Sequence, residues 1–195
     1  MKISSSLLVL AAAVSFYSCG KQEPNNPDRI VSDGNKVLNQ EQFSKYVFQS
    51  LKYQDFDAYS QYFIRLGDLD YFFAMKVKHQ KKMKKDPQKI KRLQQQLAKA
   101  RALFPARRKS RLSGLQTAFN RLRSEAEAAG VDWKTARYKG YQLENARHIY
   151  KIATADIIVT FTSGKKHYIF KIPRSQYLQR GWVYSAPLKW MGDYR

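Results

Sequence analysis

Residues 155–172 read ADIIVTFTSGKKHYIFKI, and this stretch decides the fold. Ala155, Ile157, Val159 and Phe161 alternate with Asp156, Ile158, Thr160 and Thr162. A period of two marks a strand with one face turned to a core. Ser163-Gly164 is a hairpin turn signal. The chain then returns over Lys166 to Ile172, with Tyr168, Phe170 and Ile172 on one face. An antiparallel hairpin with such an apolar face needs cover from other elements.

Strand patterning continues on both sides. Upstream, Thr135 to Lys151 reads as a long strand interrupted near Glu144-Asn145. Downstream, Pro173 to Arg180 reads as a connection. Trp182 to Trp190 reads as the last strand, with Trp182, Tyr184, Ala186, Leu188 and Trp190 on one face and Pro187 marking an edge or bulge. The second half of the chain is therefore a meander of about four antiparallel strands.

The first half has helical spacing. Asn39 caps a helix with Gln42 three residues on, as in a capping box. Phe43, Tyr46, Val47, Phe48 and Leu51 form its apolar stripe. Asp55 opens a second piece carrying Phe56, Tyr59, Tyr62 and Phe63. Gly67 breaks it, and Asp68 caps a third helix through Tyr71, Phe72 and Met75 toward Lys85. Asp86-Pro87 is a restart signal, since Asp caps and Pro suits a first turn. Ile90, Leu93, Leu97, Ala100 and Phe104 follow at spacings of three and four. Beyond Pro105 come Leu112, Leu115, Phe119, Leu122 and Ala126, and Gly130 ends the run. The two stripes fit either a helical hairpin around Pro105 or one long kinked helix. Helices first and strands after them give an α+β class, with N-terminal helices packed against a curved antiparallel sheet and long basic helices inserted between.

The leader sets the compartment. Met1-Lys2 is positive, Leu7 to Val14 (LLVLAAAV) is apolar, and Ser18-Cys19-Gly20 follows. A charged start, a short apolar middle and a small-residue exit form a secretory signal over residues 1–18. The apolar run falls short of the roughly 20 residues a membrane span needs. Cys19 is the single cysteine of the chain, so no disulfide can form within it. Ser18-Cys19-Gly20 resembles the end of a bacterial lipobox, although Phe16 and Tyr17 depart from the usual residues. The resemblance implies lipid attachment at Cys19. The alternative is a cysteine beside an ordinary cleavage site. Residues 19–38 are polar and rich in Pro and Asn, the composition of a flexible tether. Residues 39–195 are expected to fold as one domain.

Charge is the outlier. The formal net charge is +21. Between Lys76 and Arg123 stand 17 Lys and Arg against one acid, Asp86, so this segment alone carries +16. Residues 76–129 are thus a basic helical segment. Its clusters are Lys81-Lys82, Lys84-Lys85, Lys89, Lys91-Arg92 and Arg107-Arg108-Lys109. Such a surface attracts anions without naming one.

The order of elements resembles the nuclear-transport-factor-two-like (cystatin-like) fold, in particular its small bacterial lipoproteins. Three stretches carry the resemblance: Tyr59-Ser60-Gln61-Tyr62-Phe63, the 155–172 hairpin, and GWVYSAPLKW from Gly181 to Trp190. The basic helices depart from the pattern as an enlarged insertion. The resemblance implies a cone-shaped sheet with an interior pocket and homodimers through its outer face. Some members are isomerases or dehydratases that use Asp, His or Tyr in the pocket, and many others bind ligands or partners. Fold alone does not choose among these.

Catalytic signals are sparse. His79 lies among lysines, and His148 and His167 lie on strands. No Cys/His cluster with zinc spacing, no GxSxG and no phosphate-cradling glycine loop is present. The chain calls for no cofactor and no metal. Asp55, Tyr59, Tyr62 and Trp182 are candidate pocket residues, with Asp57 and Asp68 near them. Asp55 and Asp68 sit where helix caps belong and the tyrosines suit a core, which is the better explanation of them, so the balance is against an enzyme. The leading expectation is an exported, lipid-anchored binding or scaffold domain of the cell envelope. It meets the membrane through Cys19 and an anionic lipid or envelope polymer through its basic helices. The alternatives are a small pocket enzyme of isomerase or dehydratase type, or a secreted nucleic-acid-binding protein. Nucleic acid is the disfavoured partner, because export removes it.

Overall fold

A computed structural model describes residues 36–83 and 87–194. The leader, Cys19 and most of the tether lie outside the described residues, as do Lys84, Lys85 and Asp86. Four helices precede five strands: α1 (Gln40–Lys52), α2 (Phe56–Gln61), α3 (Leu66–Lys82), α4 (Pro87–Ala128), β1 (Arg137–Ile149), β2 (Ile152–Ser163), β3 (Lys166–Leu178), β4 (Gly181–Tyr184) and β5 (Lys189–Asp193). The protein is α+β, with its helices laid against a curved antiparallel sheet.

The sheet is a meander, β1-β2-β3-β4, with β5 also paired to β3. In the hairpin that fixes the fold, Phe161 faces Tyr168, Val159 faces Phe170 and Ile157 faces Ile172. All six side chains are buried. They meet Phe43, Val47 and Leu51 of α1, Tyr59 of α2 and Phe119 and Leu122 of α4 in one apolar core. Aromatic contacts run through it. Tyr59 stacks on Tyr184 at 4.6 Å between ring centroids. Trp133, in the turn before β1, stacks on Phe161 at 5.5 Å.

The α1 start is the capping box its sequence announces: Gln42 N–H donates to Asn39 Oδ1 at 2.9 Å, and Asn39 N–H to Gln42 Oε1 at 3.2 Å. The α4 end is as sharp. Gly130 takes φ +93, its N–H donates to Glu127 O, and Val131 N–H donates to Ala126 O. Those two bonds satisfy carbonyls the helix leaves open and turn the chain into the sheet.

Five expectations change in detail. First, α3 begins at Leu66, so Gly67 lies inside its first turn rather than breaking the chain. Second, Asp68 is not the cap residue; it sits in that first turn and accepts the Arg65 N–H at 2.7 Å. Third, residues 173–178 are strand, not connection. Pro173 tolerates this position for a definable reason. Ile172 pairs with Ile157 and Ser175 with Ala155, so Pro173 and Arg174 form a bulge opposite Asp156. They also fall between the stretches where β4 and β5 pair, so no ladder bond is asked of the proline nitrogen. Fourth, the last strand is two strands that follow each other along the same side of β3, separated at Ser185–Leu188 where Pro187 sits. Fifth, the open choice around Pro105 resolves as one 42-residue helix.

The two halves of α4 do different work. Leu115, Ala118, Phe119, Leu122 and Ala126 in its C-terminal half are buried in the core. The N-terminal half leaves the core and runs along α3. In turn, α3 rests on the other face of the sheet at one end, where Tyr71, Phe72 and Met75 cover Ile152, Leu178 and Val183.

Candidate functional site

The chemistry of this chain is concentrated on α3 and α4. Every residue at the stripe positions 90, 93, 97, 100, 104, 108, 112, 115, 119, 122 and 126 is buried or half-buried. That stripe continues at spacings of three and four straight through Pro105. Arg108 occupies one stripe position, and its charge hides the continuity in the sequence. It is half-buried and lines a small cavity together with Phe63, Ile64, Leu69 and Phe104.

Outside the stripe the basic residues point to solvent. Lys81 and Lys82 end α3, Lys89, Lys91 and Arg92 occupy the first turns of α4, and Arg107 and Lys109 lie near its middle; all are exposed. At 1.5 Å rise per residue the second cluster lies about 24 Å beyond the first along one helix axis. Among the described residues, no acidic side chain pairs with Lys81, Lys82, Lys89, Lys91, Arg92, Arg107, Arg108 or Lys109. The pairs that form in this segment engage other cations: Arg101 with Asp70 at 2.7 Å, Arg121 with Glu125 at 3.7 Å and Arg123 with Glu127 at 3.1 Å. Like charges held on one rigid rod raise the local potential, since neither flexibility nor counter-charge relieves it.

Arg123 is the exception that sequence counting hides. It faces inward, donates to Leu51 O and to Lys52 O at the end of α1, and lies over the Trp133 ring at 5.3 Å. Burial lowers its pKa, with Glu127 acting the other way. It is a helix-end clamp, not part of the outward surface.

No protein family, curated protein or solved structure matches this chain.

The candidate pocket residues do not gather around one cavity. Asp55 accepts the Ala58 N–H at 2.8 Å as the α2 cap. Asp57 lies exposed in the same first turn. Tyr59 and Tyr62 are 1% and 0% exposed, inside the aromatic core. The Tyr62 hydroxyl donates to Lys36 O at 2.9 Å, and Tyr184 donates to Tyr59 O at 2.9 Å. Burial pushes the Tyr59 and Tyr184 hydroxyls well above the usual tyrosine range, which keeps both neutral. Trp182 is buried in the same core and also lines a surface hollow with Val37, Asn39 and Tyr177, which neither Tyr59 nor Tyr62 lines. Among the described residues, no group of three or more His, Cys, Asp or Glu is placed to hold a metal ion. No helix among them is long and apolar enough to cross a membrane.

One feature lay beyond sequence reasoning. Arg180 reaches from the β3–β4 turn to Asp68, with Nε 3.0 Å from both carboxylate oxygens and Nη2 2.9 Å from Oδ2. It also donates to Gln61 O and Phe63 O. This staple fixes the start of α3, and so the direction of the basic arm, against the sheet. The partners are 112 residues apart in sequence, and no local pattern signals the pairing.

Proposed function

We propose that this protein is an exported, lipid-anchored domain of the cell envelope that uses the outward face of α3 and α4 to bind an anionic membrane or envelope polymer. The observation that carries the reading is the set of exposed cations Lys89, Lys91, Arg92, Arg107 and Lys109 on α4, which no acid among the described residues pairs with. The leader and Cys19 support export and anchoring. With an acyl anchor near the membrane, each basic residue close to an anionic surface adds roughly 1 kcal/mol to its hold. The nuclear-transport-factor-two-like resemblance belongs to the same proposal, supported by a curved antiparallel sheet that shares one apolar core with the helices.

The competing pocket-enzyme reading has less support. Its candidate side chains are used as a cap and as core aromatics. The nucleic-acid reading uses the same cations and depends on the leader not acting.

The experiment separates anchor from charge. The Cys19→Ala chain, which lacks an acylation site, is floated with vesicles of phosphatidylcholine alone or mixed with phosphatidylglycerol. Between about 0.1 M and about 1 M salt the Debye length falls from about 10 Å to about 3 Å. Binding to the anionic vesicles at the lower salt, lost at the higher, is the expected result. Equal binding to both vesicles, or none to either, contradicts the electrostatic reading.

A further inference from the structure

Where α4 runs along α3, the two helices leave a groove of about 790 Å³ open between them. Its floor is Tyr71, Phe73, Ala74 and Val77 of α3 with Leu93 and Leu97 of α4. One end is lined by the Arg101–Asp70 pair at 2.7 Å and by Gln179 of the β3–β4 turn. That pairing neutralises Asp70, the one acid among the described residues that line the groove. Toward the other end lie Lys78 and Lys81, one helical turn apart, both exposed and neither paired with an acid among the described residues. Lys89, Lys91 and Arg92 begin α4 near that end.

The groove therefore has an apolar body, an ion-paired end and a cationic mouth. Its volume lies within the roughly 300–1,000 Å³ of small-molecule sites. From Asp70 to Lys81 the helix rises about 16 Å. One leaflet of membrane hydrocarbon is about 15 Å deep, half of a core of about 30 Å. An apolar slot of that length with cations at its opening complements one class of molecule: an amphiphile with a single extended acyl chain and an anionic head. A polyanion without a tail would leave the floor wet, and an uncharged tail would leave the lysines unused.

We propose that the α3–α4 groove binds one acyl chain of an anionic lipid, tail along Ala74, Val77, Leu93 and Leu97, phosphate between Lys78 and Lys81. This goes beyond the surface reading above. A basic face needs only a field of charge, whereas the groove takes one lipid molecule in a fixed orientation. The groove also gives a reason for α4 to diverge from the core: a helix pair fully sealed along its seam would have no room for a tail.

The test uses the purified full chain and alkyl phosphates below their micelle concentration, so no membrane is present. Calorimetric titration with dodecyl phosphate is expected to saturate at one site. A tail that is truly buried tightens binding about fourfold for each added methylene across decyl, undecyl and dodecyl phosphate. Ala74→Trp fills the slot and is expected to weaken binding at least about tenfold. Lys78→Ala with Lys81→Ala weakens dodecyl phosphate and leaves dodecyl maltoside, which has no charge, unchanged. A second readout needs no variant. A nitroxide-labelled alkyl phosphate is expected to broaden the methyl resonances of Val77, Leu93 and Leu97 and leave Ile157 and Val159 in the core sharp. Absence of saturation, indifference to chain length, wild-type affinity in Ala74→Trp, or broadening spread evenly over the surface overturns the proposal. Groove binding lost while salt-sensitive vesicle binding persists refutes the groove and spares the surface reading. Vesicle binding absent while dodecyl phosphate still saturates does the reverse.

Discussion

Arg180 holds Asp68 through both its Nε and its Nη2, at 3.0 and 2.9 Å, and the Asp68 side chain is only 3% exposed. A carboxylate that deep is tolerated because its charge is matched and its oxygens are filled. Replacing Arg180 with Met leaves the buried carboxylate without its counter-charge and takes a donor from Phe63 O, while Gln61 O keeps the Arg65 guanidinium; breaking such a buried pair costs about 3–5 kcal/mol. The double variant Arg180→Met with Asp68→Leu removes the stranded charge and is expected to recover most of that. Denaturant unfolding of the two variants reads the difference. Equal stability of the single and double variants would show that the pair is not what secures α3.

Pro105 stands inside a 42-residue helix and has no N–H to donate to Arg101 O. A proline in a helix interior is unfavourable by about 3 kcal/mol relative to Ala. Pro105→Ala is expected to raise the unfolding midpoint, since the helix already continues through this point. A fall in stability would mean that the proline sets a bend the core requires.

Asp156 gives the sheet an acid-sensitive point. Burial raises its carboxyl, and the Arg174 N–H, the Asn145 amide and the Lys171 ammonium outweigh that, holding it below its ordinary value. A carboxylate lowered in the folded state adds stability above its unfolded pKa of about 3.9 and loses it as pH falls through the folded pKa. Melting temperature followed from about pH 5 downward should therefore fall less steeply in Asp156→Asn than in the parent chain. Parallel curves would show that the bulge at Arg174 does not depend on this charge. Lys171 works in the other direction. Its hydrogen bond to Glu144 is the main cause that raises its pKa, so its share is present below the unfolded lysine value and lost as alkali passes the folded one.

Gly181 takes φ +92, and a Cβ there would stand 3.1 Å from Leu38 N and 3.2 Å from Leu38 O. The segment leading into α1 crosses the β3–β4 hairpin at this point. Gly181→Ala combines left-handed strain with a backbone clash and is expected to lower stability by more than about 1 kcal/mol. Gly164→Ala, equally left-handed at φ +59 but with open space around it, isolates the strain from the clash. Similar losses at both sites would show that Leu38 yields.

Much of the fold was legible because its signals are local. The 155–172 hairpin keeps its core residues at every second position, Asn39 and Gln42 cap within four residues, and Gly130 ends α4 with bonds to its own last turn. Where the reading failed, the deciding partner was distant. Pro173 looks like a strand breaker until the bulge opposite Asp156 and the gap between β4 and β5 are known. Asp68 looks like a cap because its role with Arg180 is set by a residue on the far side of the chain. The continuity of α4 was obscured by Arg108, a half-buried charge at an apolar stripe position. The basic surface was legible by counting. Counting could not show that Arg123 turns inward, nor that α3 and α4 leave a groove between them.

The account turns on whether the cations at the start of α4 hold the protein to an anionic surface. Lys89→Gln, Lys91→Gln and Arg92→Gln together, compared with Lys139→Gln, Lys165→Gln and Lys166→Gln on the sheet side, put that to the most direct test. Partition of each Cys19→Ala variant onto phosphatidylglycerol vesicles is measured at low salt. The α4 triple variant is expected to lose about a hundredfold in affinity, with the sheet triple variant close to the parent. Equal losses in the two would make net charge, not the α4 face, the cause and would contradict the account.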